Sequence, residues 1–150
     1  MLDRLLPPTF DNTYSGHNVA LWLFGLLVFM KAAMSLSSIF SGESVASSAD
    51  GIPLDTYPPA AARTIVSLFA LFGLSLLVLC ALSVLVLVRY RSMVPLMYVL
   101  FLLEHAGRKL ILQFLPIVRT GQPPAFAINL AILALTIIGL ALSLWKVPHR

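Results

Sequence analysis

The chain has 150 residues, 59% of them hydrophobic and only 11% charged, whereas soluble domains average about 45–50% apolar and about 25% charged residues. That balance and a mean hydropathy of +0.95 exclude an ordinary water-soluble domain and name the lipid bilayer as the main solvent. The net charge of +4 comes from basic residues scattered among apolar segments rather than clustered on one solvated face, so no nucleic-acid partner is expected.

In chain order, the first stretch is polar up to "PPTFDNTYSGH" and carries Asp3 and Asp11 against the single Arg4. That is the wrong charge for the n-region of a secretory signal, although residues 19–30 could otherwise pass as its apolar core. The first apolar segment, Asn18–Phe40, is predicted to be a transmembrane helix. It contains a lone cation, Lys31, in "LLVFMKAAMSLSS", followed on one face by Ser35, Ser38 and Gly42. The connection "SGESVASSADGIPLDTYPP" is rich in Ser, Pro and Gly and short of apolar residues, so an ordered cap is expected rather than a domain.

The second segment, 64–88, has no charge between Arg63 and Arg89. Its Cys80, the only cysteine, reads as a small apolar residue and excludes an internal disulfide and thiol-disulfide chemistry. After the short "RYRSMVP", a third segment covers 92–115, with Pro95 tolerated in its first turn. "PIVRTGQPP" then leads to the fourth segment, Ala125–Leu144, where Asn129, Thr136 and Ser143 recur every seven residues. Each segment is about 20 residues or longer, enough to cross roughly 30 Å of hydrocarbon as a helix. The expected fold is therefore all-α, an integral membrane bundle of four transmembrane helices forming one domain over residues 1–150.

Four crossings place both termini and the 89–91 turn on one side, with Arg4, Arg89, Arg91, Lys146 and Arg150; the other side has Arg63 and Arg119 among Glu43, Asp50 and Asp55. The positive-inside rule then makes both termini cytoplasmic, and Trp22 and Trp145 fall at the same interface. The look is that of a small bacterial inner-membrane, multi-pass protein.

The third segment, "LLEHAGRKLILQF", is not an ordinary anchor. Its apolar residues contribute roughly −4 to −7 kcal/mol to insertion, while Glu104, Arg108 and Lys109 add roughly +6 to +9 kcal/mol if central. The two cations can snorkel towards the outer end, but Glu104 must be paired, protonated or beside water. Glu104 and Arg108 are four apart, acid before base, and Lys31 falls at a similar depth on the first helix. The expected arrangement is a polar network centred on Glu104, with Lys31 and Arg108 as counter-charges, set between helices one, three and four. Ser35, His105, Lys109, Gln113 and Asn129 are its further candidates. His105 reads as a hydrogen-bonded member, since a bis-histidine haem would need a second histidine at membrane depth and His17 and His149 belong to the flanks.

There is no metal cluster, nucleophile-and-base arrangement or phosphate loop, so no catalytic residue, metal or cofactor is expected. Four-helix drug-efflux transporters carry their membrane glutamate in the first helix, whereas Glu104 lies in the third. The expected role is non-enzymatic: a small membrane subunit or accessory protein with a membrane-protein partner or a homo-oligomeric assembly. The alternative is an oligomeric proton- or ion-coupled small transporter in which Glu104 titrates.

Overall fold

A computed structural model describes residues 9–121 and 123–145, together with Leu5 and Pro7. Among the described residues the chain is all-helical, with no strand. The four long helices are α1 (Asn18–Phe40), α2 (Pro59–Arg89), α3 (Val94–Phe114) and α4 (Ala125–Leu144). His17 caps α1, its Nδ1 accepting from the Val19 N–H at 3.2 Å, which satisfies one of the free amides of the first turn. Proline at the first helical position starts α2, where the missing N–H has no partner to lose. The helix therefore begins at Pro59, ahead of the expected 64. The 3-10 turn Arg91–Met93 takes up Ser92, so α3 begins at Val94 with Pro95 in its first turn.

Hydrogen bonds at the two ends define an up-and-down bundle. At one end the His17 N–H donates to the Leu142 carbonyl at 3.2 Å, and the Ser92 hydroxyl donates to the Asp11 carbonyl at 3.0 Å. At the other end the Gly51 carbonyl accepts from the Thr120 N–H at 2.8 Å and from its hydroxyl at 3.1 Å. The first connection is an ordered cap made of the helical turns Gly42–Ser44, Val45–Ala49 (a π turn) and Leu54–Thr56, with Ala46 and Ile52 buried beneath it.

α1 is the central helix, packed chiefly on α2 and α4, while α4 also carries α3. The core joins Phe24 and Leu27 of α1, Leu76 and Cys80 of α2, Met97, Tyr98 and Phe101 of α3, and Ile132 of α4. Tyr98 is fully buried, donates to the Ala20 carbonyl at 2.7 Å and meets Phe24 edge-on with centroids 5.0 Å apart. Two glycines allow the helices to approach. A Cβ on Gly73 would lie 2.8 Å from the Ser35 carbonyl oxygen, and one on Gly139 would overlap the Tyr98 ring and hydroxyl. Small residues at helix contacts are how apolar bundles pack where lipid and side chain are equally apolar. The Ser35, Ser38 and Gly42 face of α1 is thus a packing seam against α2, where Gly73 and Val66 meet it.

Among the described residues three helices, α1, α2 and α4, are long and apolar enough to cross a membrane. Their outer surfaces carry exposed large apolar residues such as Phe29, Leu71, Val78 and Ile138, the pattern of a membrane protein, whose exterior faces acyl chains. Of the basic residues used for orientation, Arg4, Lys146 and Arg150 lie outside the described residues, as does His149.

Ahead of α1, the Tyr14 hydroxyl is buried and has no hydrogen-bond partner among the described residues, and burial pushes its phenol up to about 12. Tyr14→Phe is expected to raise stability by about 1 kcal/mol, because an unpartnered buried hydroxyl is a net penalty. The folded state favours the protonated phenol, so its contribution is complete below the ordinary value of 10.0 and fades as pH rises through the raised one. Thermal unfolding midpoints measured across that alkaline interval check both points, since the phenylalanine variant should lack this part of the decline.

Candidate functional site

The charged side chains of α3 are sorted by helix geometry. At about 100° per residue, Arg108 lies about 40° round the helix from Glu104, Lys109 about 140° and Gln113 about 180°. Only Arg108 shares the face of Glu104, and its guanidinium donates to Glu104 Oε1 at 2.8 Å. The other carboxylate oxygen, Oε2, accepts from Lys31 Nζ of α1 at 3.0 Å. Both oxygens of one carboxylate are thereby taken up by two cations from two helices.

Burial is graded across this triad. The side chain of Lys31 is 3% exposed, that of Glu104 21% and that of Arg108 33%. Each cation also lies against an aromatic ring, Lys31 Nζ 4.9 Å from the Phe101 centroid and Arg108 Cζ 4.9 Å from that of Phe72 on α2. Cation–π attraction of this kind replaces part of the lost hydration. Outward from Arg108 comes a second ion pair, Asp50 with Arg119 at 3.9 Å, which joins the cap to the last connection. Burial raises the Asp50 carboxyl, while Arg119 and then Arg108 pull it back down. The result is a line of alternating sign from Lys31 through Glu104, Arg108 and Asp50 to Arg119.

The remaining candidates stand elsewhere. Lys109 and Gln113 are exposed and, among the described residues, form no ion pair or side-chain hydrogen bond, because their angular positions turn them away from Glu104. The Ser35 hydroxyl is buried but donates to the Lys31 carbonyl at 2.8 Å, the i−4 bond by which a helical serine satisfies itself. On α4, Thr136 and Ser143 are buried and donate to the Ile132 and Leu140 carbonyls at 2.7 and 2.8 Å. Asn129 is half-buried and, among the described residues, makes no side-chain hydrogen bond. The helix that completes the triad is therefore α2, through Phe72, and not α4 as the polar stripe suggested. His105 is buried, yet its Nε2 has no hydrogen-bond partner among the described residues. One residue on from Glu104, it lies about 100° round the helix from it.

Phe101 had a readable signal, three residues before Glu104 on the same helix face. Phe72 and Asp50 had none, since only the packing of α2 and of the cap brings them near Arg108. Among the described residues no three side chains from His, Cys, Asp and Glu converge as a metal-ligand set. Comparison with protein-family models, with curated proteins and with solved structures finds no match to this chain.

Proposed function

We propose that the chain is a four-span bacterial inner-membrane protein with both termini cytoplasmic, acting as a non-enzymatic subunit or accessory protein. In this reading the ion triad fixes the placement of α3 for a membrane-protein partner or a second copy. The observation that carries it is the full occupation of the Glu104 carboxylate by Lys31 and Arg108. A proton carrier must give up its partner in each cycle, and here protonation would forfeit two ion pairs. The same pairing supports α3 as the fourth crossing, because charges neutralised inside the bundle lose most of their insertion penalty.

Orientation is supported by Arg89 and Arg91 at the end of the bundle opposite to Glu43, Asp50 and Asp55, and by Trp22 and Trp145, both exposed near the basic end. A thiol reagent that cannot cross membranes is expected to label a cysteine introduced at Ser47 in intact cells and to spare one introduced at Ser92. The opposite pattern would reverse the topology.

One observation favours the transporter reading: Glu104 is 21% exposed, and the next residue in the chain, His105, has a buried Nε2 with no hydrogen-bond partner among the described residues. Infrared difference spectra of the purified protein from acid to alkaline pH, compared with Glu104→Gln, decide between the two. The subunit reading expects no Glu104-dependent carboxyl band titrating near neutrality. The transporter reading requires one.

A further inference from the structure

The end of the bundle that holds the cap contains a cleft of about 760 Å³ between the cap, the start of α2 and Thr120 of the last connection, a volume within the usual range of small-molecule sites. Its wall is apolar at Ile52 and Val66, and its rim carries Glu43, Asp55 and Arg63. Among the described residues these three side chains enter no ion pair or hydrogen bond with the chain. Ser47, also on the cleft, donates its hydroxyl proton to the Glu43 carbonyl at 2.7 Å, which leaves its oxygen with acceptor capacity only. The cleft is thus lined by two carboxylates and a hydroxyl, which accept, and by one guanidinium, which donates.

Depth limits what can reach it. α2 has 31 residues, about 46 Å at 1.5 Å per residue, against roughly 30 Å of hydrocarbon and about 40–45 Å with the headgroup layers. With Arg89 at one interface, Arg63 lies about 39 Å along the helix and therefore at the level of the opposite headgroups, where lipid phosphates lie. The rim sums to one negative charge, which disfavours a ligand that is only anionic. Guanidinium is the natural partner of phosphate, and an ammonium with N–H donors suits two carboxylates and a hydroxyl oxygen.

We infer that this cleft binds an ammonium–phosphate zwitterion of the phosphoethanolamine type, with phosphate on Arg63 and ammonium on Glu43 and Asp55. The inference rests on α2 crossing the bilayer and not on the subunit role. The ligand can come from a phospholipid headgroup or from solution, and both sources share this chemistry.

Calorimetric titration of the full chain in maltoside micelles with a short-chain phosphatidylethanolamine tests it. The expected result is saturable binding, weakened about tenfold in Arg63→Gln and by a similar factor in Glu43→Gln/Asp55→Asn, since each removes a charge-assisted contact. Short-chain phosphatidylglycerol, which lacks the ammonium, should bind at least as weakly as the double variant binds phosphatidylethanolamine. Glycerophosphoethanolamine binding as tightly as the lipid would support the site and place its ligand in solution. Absence of saturable binding, unchanged affinity in both variants, or equal affinity for phosphatidylglycerol would overturn the inference. If Arg63→Gln does not fold, the double variant decides alone, with Arg63→Lys expected to retain most of the binding.

Discussion

Lys31→Met is expected to lower the unfolding free energy by about 3 kcal/mol, because breaking a buried ion pair leaves its partner charge uncompensated. The value falls at the low end of the range for such losses because Glu104 keeps Arg108 at 2.8 Å and is 21% exposed. Replacing both partners, Lys31→Met with Glu104→Gln, is expected to recover part of the loss. A neutral pair of similar volume needs neither hydration nor counter-charge, and Arg108 retains its place over the Phe72 ring. Chemical unfolding in mild detergent of the wild type, both single variants and the double variant closes the cycle. Strictly additive damage would mean that the 3.0 Å contact of Lys31 with Glu104 carries no coupling.

Gly139→Ala is expected to cost about 3 kcal/mol, the upper part of the range for overpacking a filled core. In an exposed helix the same change would gain about 1 kcal/mol from helix propensity, so the sign of the effect reports the contact. The new Cβ would occupy the space of the Tyr98 ring and hydroxyl. That side chain has no room to move, because it is fully buried and bonded to the Ala20 carbonyl of α1. The damage should therefore spread from the α3–α4 contact to α1. Adding Tyr98→Leu removes the ring, and the double variant should be less destabilised than the sum of the two single changes. Thermal unfolding midpoints of the three variants in one detergent measure this, and simple additivity would show that Gly139 is not held small by Tyr98.

The chain by itself determined the helical segments, because each is a long apolar run bounded by turn residues and local hydrogen bonding decides the rest. α1 and α4 have the bounds that the apolar runs mark, Asn18–Phe40 and Ala125–Leu144. Where bounds moved, proline chemistry was the cause, at Pro59 for α2, or a 3-10 turn, at Arg91–Met93 for α3. The Glu104–Arg108 contact was equally legible, since four residues along a helix bring side chains to one face whatever surrounds them. Lys31 could be reached only by counting depth on two helices, which works when both start from the same interface.

Tertiary structure decided the rest. Lys109 and Gln113 follow Glu104 in the sequence as closely as network members would, but rotation about the α3 axis sets them on its exposed side. The hydroxyl of Ser35, a network candidate, and those of Thr136 and Ser143 in the polar stripe of α4 bond to their own helices, because a backbone carbonyl one turn away is always within reach of a buried serine or threonine. Phe72 and Asp50 became neighbours of the triad only through the packing of α2 and the folding of the cap, contacts between residues far apart in the chain. Periodicity records which face of a helix is polar; which helix that face meets depends on how small residues such as Gly73 and Gly139 let the helices close on one another.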